Sequence, residues 1–325
     1  RNLTREQQLD YVDAVRCLQN KPGEFTWYWP GAKFRFDDFQ GLHINQTNFI
    51  HYCVGAPSLL ASWHRHLMWL YEQALRNECN YRGAHPYWDW TLDAYLPDGL
   101  TKSPLWDPEY GLGGNGVYVA DLDIYPKTWV VQLFTIPERT GGGCVTTGPF
   151  AQRNVSMGVG NSTAYDPHCL HRDFSNVLFA QLNNSTVIQE TMDSSNHWWL
   201  DRNIEGYGLT LTGQRSHGGG HLGIGGQVGE MTNRWSSAGD PAFYLHHANV
   251  DRLWASWQIK DWSTRKCDIS GPDTQFAYPF NFTKDIPYHN VTLQTPLHFT
   301  PLAPSIIIED VMDFYSLNYT YDTFY

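Results

Sequence analysis

The chain has 325 residues, with 33 acidic against 22 basic side chains and a formal net charge of −11. No basic stripe is present to hold a phosphate backbone, so a nucleic-acid partner is not expected. No apolar run approaches the roughly 20 residues of a membrane-spanning helix, so a membrane is not expected either. Without linker, repeat or low-complexity tract, residues 1–325 read as one domain. The opening RNLTREQQ is not a signal peptide, so the chain reads as a mature form.

Helices are predicted over residues 4–19, 38–50, 58–78, 172–188, 196–206, 217–223 and 240–258. The segment LLASWHRHLMWLYEQAL repeats apolar residues at helical spacing through Leu60, Trp63, Leu67 and Leu70. Residues 80–170 are rich in Gly, Pro and aromatics and read as loops. The tail from about residue 268 has Pro-broken apolar stretches and few helix signals. In DPAFYLHHANVDRLWASW, Asp240 is a candidate N-cap and Pro241 suits the first helical position. Phe243, His247, Val250, Trp254 and Trp257 then share one face.

Histidines punctuate these helices. His43 and His51 are eight apart, and His64 follows on the next helix. His217 and His221 are four apart in RSHGGGHLGIGG, a spacing that sets both rings on one helical face. The three intervening glycines disfavour an isolated helix but let another backbone or a ligand come close. With His247, these residues make two sets of three histidines and no matching thiolate or carboxylate pattern. Imidazole suits copper, zinc, iron and nickel. His66, His85, His168 and His171 read as structural, and His197, His289 and His298 carry no signal.

The ordered motifs WHRHLMWLYEQAL, HPYWDW at His85 to Trp90, His-x-x-x-His and DPAFYLHHANVDRLW resemble the tyrosinase and catechol oxidase family of type 3 copper proteins. The likeness runs from about His43 to Trp257, and Tyr319-Thr320-Tyr321 is similar to the family's closing Tyr-x-Tyr element. The short secreted fungal members are the most similar. The resemblance implies a mainly α fold, a four-helix bundle core holding a dinuclear copper site, wrapped by long loops and a few short strands. It implies a first copper on His43, His51 and His64, and a second on His217, His221 and His247, with His246 the less favoured alternative in the doublet. His51 lies farther before His64 than in many members. Cys53 follows His51, an order that favours a disulfide over a thioether to that ring. Asp251 would orient a copper-bound imidazole.

The implied activity is oxidation of o-diphenols to o-quinones with O2. Monophenol hydroxylation is described in the family as needing a water held by a glutamate and by an asparagine after the second copper's first histidine. Glu205 is the candidate glutamate, but Gly218 occupies the asparagine's place. Leu222 and Phe243 would line the substrate pocket, Phe243 narrowing its entrance. Catechol oxidation with slow monophenol hydroxylation is therefore expected; an oxygen-binding, hemocyanin-like protein is the alternative.

Asn2, Asn45, Asn154, Asn161, Asn183, Asn184, Asn281, Asn290 and Asn318 each begin an Asn-x-Ser/Thr pattern. That density argues for a secreted, extracellular glycoprotein, with Asn183 and Asn184 too close for both to be occupied. Cys17, Cys53, Cys79, Cys144, Cys169 and Cys267 are an even set, for which disulfides are expected with the pairing open.

Overall fold

A computed structural model describes residues 2–51, 57–274, 277 and 287–325. Cys53 and Asn281 lie outside the described residues.

Helix α1 (Arg5–Leu18) starts at a reciprocal cap: Gln7 N donates to Thr4 Oγ1 at 3.3 Å and Thr4 N donates to Gln7 Oε1 at 2.8 Å. Helix α2 (Arg35–Ile50) begins three residues before the expected position. The Asp37 carboxylate reaches back to accept from Lys33 N and Phe34 N, satisfying donors ahead of the first turn. Helix α3 (Leu60–Cys79) ends at Asn80, whose φ of 58° is a left-handed cap. A disulfide from Cys17 to Cys79 ties the end of α1 to the end of α3.

Residues 80–170 are mostly loop, as their composition predicts. They carry the short helix α4 (Thr91–Ala94) and two small antiparallel pairs. In these, β1 (Gly116–Tyr118) pairs with β2 (Gly142–Val145), and β3 (Asn154–Met157) with β4 (Tyr165–Cys169). The Cys144–Cys169 disulfide joins the two pairs, while Cys267 is a free, exposed thiol.

The helix expected over 172–188 is two helices, α5 (Asn176–Asn183) and α6 (Ser185–Met192). Asn184 divides them. Its backbone is extended, its Oδ1 accepts from Thr186 N and Val187 N, and its Nδ2 donates to Ala180 O and Gln181 O. A side chain able to cap the next helix competes with continuation of the previous one. Neighbouring Asn183 is fully buried and donates to Ser216 O at 2.9 Å, so its amide has no room for a glycan. Helix α7 (His197–Glu205) follows, capped by Asn196.

Helix α8 (Ser216–Gly225) contains the glycines that weaken it on propensity alone, yet every residue of it is buried. Tertiary contact explains why. A Cβ on Gly219 would come within 2.6 Å of Leu182 Cβ, and one on Gly223 within 2.9 Å of Phe179 Cβ, both on α5. A Cβ on Gly220 would enter the ring of His246 on the next long helix, α9 (Ala242–Ile259). The glycines are the contact surface, and close packing offsets their propensity cost of about 1 kcal/mol each.

Helix α9 is buried from Ala242 to Gln258. Pro241, expected as its first residue, is instead its N-cap, and Asp240 just ahead accepts from Ala242 N at 2.9 Å while binding Arg172 through both oxygens at 2.8 Å. The C-terminal segment closes on the same helix. Tyr319 and Tyr321 donate to Asp251 Oδ2 at 2.6 and 2.5 Å, and Arg65 Nε of α3 donates to Oδ1 at 2.5 Å. Asp251 therefore joins α3, α9 and the tail. A cavity of about 820 Å³ opens beside this junction and is lined by none of the six candidate ligands.

Candidate metal centre

Four helices deliver the histidines. His43 lies on α2, and His51 is the residue at which α2 ends, with φ −112° and ψ 140°. That break lets the ring return toward His43 after two turns. His64 is on α3, His217 and His221 are one turn apart on α8, and His247 is on α9. All are buried.

In the first cluster the ring nitrogens of His43, His51 and His64 lie within 4.8 Å of one another. His43 Nε2 and His51 Nε2 are 3.1 Å apart. Two imidazoles bound to one tetrahedral ion at about 2 Å would stand about 3.3 Å apart. In the second cluster His221 Nε2 and His247 Nε2 are 3.2 Å apart, and His217 and His246 belong to the same group. The clusters face each other: His64 and His247 stack at 3.9 Å between ring centroids, and His51 and His217 lie at 5.8 Å.

Backbone carbonyls hold the rings. His43 Nδ1 donates to Trp235 O at 2.7 Å, His64 Nδ1 to Leu60 O at 2.9 Å, and His221 Nδ1 to Met231 O at 2.7 Å. A carbonyl can only accept, so each proton sits on Nδ1 and each Nε2 presents a lone pair inward. His64 Nε2 and His217 Nε2 are buried with no hydrogen-bond partner, as expected of atoms reserved for an ion. Burial keeps the rings neutral. It lowers His43 to about 3 and His221 to about 4, and it holds His51, His64, His217 and His247 well below the ordinary histidine value. Repulsion among the histidines adds to the effect for His51, His217 and His247. Neutral, convergent imidazoles are the donor set that copper accepts.

His246 is fully buried with both ring nitrogens unpartnered. It is held between Gly220 and Trp90, whereas His247 is the ring stacked against the first cluster. His66 stacks on Trp69 at 5.4 Å, away from both clusters. His85 Nε2 donates to Tyr244 O, and His168 pairs with buried Glu230, so both are committed to packing.

Four expected roles need restating. Phe243 is not at an entrance: it is fully buried, 4.9 Å from the His43 ring and 4.2 Å from that of His247, and it packs against both clusters. Asp251 makes its hydrogen bonds to Arg65, Tyr319 and Tyr321 rather than to an imidazole. Glu205 is buried and ion-paired, its Oε2 accepting from Arg202 Nη2 at 2.9 Å. Asn183 is no glycan acceptor. Leu222, which follows His221 on α8, packs in a small apolar group with Ile136, Leu178 and Leu182. Sequence reasoning missed the orienting carbonyls of Leu60, Met231 and Trp235, because every residue has a carbonyl and only the fold selects one.

Comparison with known proteins agrees with this geometry. Residues 33–260 match the common central domain of tyrosinase. The chain is similar to tyrosinase P of Aspergillus terreus, with 34% identity over 314 residues covering 91% of this chain and 83% of that protein. It is equally similar to an N-acetyl-6-hydroxytryptophan oxidase of Emericella nidulans, at 34% identity over 348 residues covering 98% and 89%. Its fold matches a variant polyphenol oxidase from Thermothelomyces thermophila with a TM-score of 0.80 and 34% identity, covering 96% of this chain and 84% of that one. With histidines converging from α2, α3, α8 and α9 and this likeness along most of its length, the chain belongs to the tyrosinase family of copper oxidases.

Proposed function

We propose that the protein is a secreted type 3 copper oxidase that binds two copper ions and oxidises o-diphenols to o-quinones with O2, hydroxylating monophenols slowly. The observation that carries this reading is the face-to-face placement of two neutral three-histidine clusters, His43, His51 and His64 against His217, His221 and His247. Copper held there would supply reversible one-electron redox chemistry and O2 binding. Two catechols give up four electrons and four protons to one O2, leaving two quinones and two waters.

The protein's part is to hold the ligands and exclude competing chemistry. The carbonyls of Trp235, Leu60 and Met231 fix three imidazole tautomers. Phe243 fills the space between the clusters from the buried side. Two features support preference for diphenols. Glu205 is engaged by Arg202, and Gly218 has no side chain to help hold a water, so a base for an un-ionised monophenol is poorly provided. Secretion is supported by two disulfides and by exposed sequon asparagines at Asn2, Asn45, Asn154, Asn161, Asn290 and Asn318.

The test is elemental analysis of copper-loaded protein, followed by oxygen uptake with catechol and with tyrosine. Two coppers per chain with rapid uptake on catechol and slow uptake on tyrosine are expected. Bound copper with no catechol turnover refutes the oxidase reading; equal rates refute the preference for diphenols.

A further inference from the structure

We propose that Gln214 is a specificity-determining residue whose side-chain carbonyl, standing where Gly218 lacks a side chain, accepts a hydrogen bond from the second hydroxyl of an o-diphenol. The inference rests on the oxidase reading above and names a recognition group within it.

Gly218 follows His217 on α8 and is buried. The space on its flank is already filled. A Cβ built on Gly218 would lie 2.7 Å from Gln214 Oε1, 3.2 Å from Gln214 Cβ and 3.5 Å from Gln214 Cδ. The amide is oriented by its other end, since Nε2 donates to Gly208 O at 3.1 Å. That bond assigns the nitrogen toward Gly208 and the oxygen toward Gly218. Oε1 accepts no hydrogen bond from any described residue and is not sealed in the interior, so its lone pairs remain available.

The backbone holds this arrangement in place. Gln214 forms an antiparallel bridge with Gly206, the residue that ends α7, and Tyr207 N donates to Gly213 O at 2.8 Å. Leu211, in the same segment, packs against the apolar group containing Leu222. The segment from Gly206 to Gln214 thus leads directly into α8, and Gln214 is its polar element nearest His217 in the chain.

A lone carbonyl acceptor has a clear chemical preference. An o-diphenol bound through one oxygen still carries a second hydroxyl that can donate, whereas a monophenol has none there. A site that pairs with a substrate hydroxyl disfavours an analogue lacking it. An asparagine placed at 218 would meet the Gln214 oxygen first, so the two positions are coupled.

The experiment uses copper-loaded full-length protein and the variants Gln214→Met, Gly218→Ala and the double variant. Catechol and tyrosine are the substrates, with copper content and thermal unfolding measured alongside. Gln214→Met keeps the chain length but removes the acceptor. The kcat/KM ratio of catechol to tyrosine should fall about tenfold, the worth of one hydrogen bond, with the loss carried by the KM for catechol. Gly218→Ala should produce a similar fall by displacing the Gln214 amide, and should add little in the Gln214→Met background. An unchanged ratio in Gln214→Met with copper retained overturns the proposal, as does full additivity of the two changes. If the native protein binds copper but oxidises no catechol, the oxidase reading itself falls and this inference with it.

Discussion

Replacing Asp251 with Asn should destabilise the protein by several kcal/mol and loosen the copper centre without touching a ligand. The carboxylate accepts from Arg65 Nε on one oxygen and from Tyr319 and Tyr321 on the other. Both charged side chains are almost completely buried. Arg65 is held in place while buried: its guanidinium lies 3.7 Å over the Trp254 ring, and its Nη1 donates to Val311 O. Removing the negative charge leaves that cation buried and uncompensated, a cost of about 3–5 kcal/mol. A chain of this length has an unfolding entropy near 0.7 kcal/mol/K, so the midpoint should drop by about 4–7 °C.

The consequence at the metal centre follows from position. Arg65 is adjacent to His64 on α3, and Asp251 is one turn beyond His247 on α9. The ion pair therefore fixes the crossing that stacks those two rings at 3.9 Å. Thermal unfolding and copper analysis of Asp251→Asn test both links. The double replacement Arg65→Met with Asp251→Leu should recover most of the stability, because removing both charges leaves neither stranded. A loss below about 1 kcal/mol in Asp251→Asn would refute the argument from uncompensated charge. Unchanged copper content alongside lost stability would refute the mechanical link to the ligands.

Further outcomes are expected elsewhere. His51→Ala should lower copper content and catechol oxidation together, since it removes a member of the first cluster; copper content equal to that of the native protein would show that His51 is no ligand. Gly220→Ala should destabilise by about 1–3 kcal/mol through overpacking against His246, read by chemical denaturation. In the metal-free protein, His43 and His221 are lowered to about 3 and 4 from 6.5. The unfolded chain therefore binds more protons below pH 6.5, and stability present above that pH is lost as pH falls, by up to about 1.4 kcal/mol per unit for each ring. Asp37 and Asp201, raised to about 6 by burial, act in the opposite sense but begin to titrate lower, so apo-protein at pH 5.5 should unfold in less denaturant than at pH 7.5. Peptide mapping of protein produced through the secretory pathway of a eukaryotic host should find Asn183 unglycosylated; a glycan there would contradict its burial against Ser216.

Much of the architecture was legible because helical periodicity and spacing are local properties. The apolar repeat around His64, the one-turn step from His217 to His221 and the segment bearing His247 all stand in the structure as helices. Boundaries moved where a side chain bonded its own backbone. Asp37 advanced the start of α2, and Asn184 cut a predicted helix in two.

What the amino-acid order determined by itself was the long helices and the histidines they carry. What only the tertiary structure decided was what stands opposite each residue. Phe243 is buried between the clusters and not at their entrance, because its place on α9 sets its ring against His43 of α2 and His247. Asp251 serves Arg65 and two tail tyrosines, partners 186, 68 and 70 residues away in the chain. The glycines of α8 form a helix because α5 and α9 press against them. Spacing along a chain constrains neighbours within a turn or two. Charge compensation, close approach and burial depend on long-range packing, which no local pattern encodes.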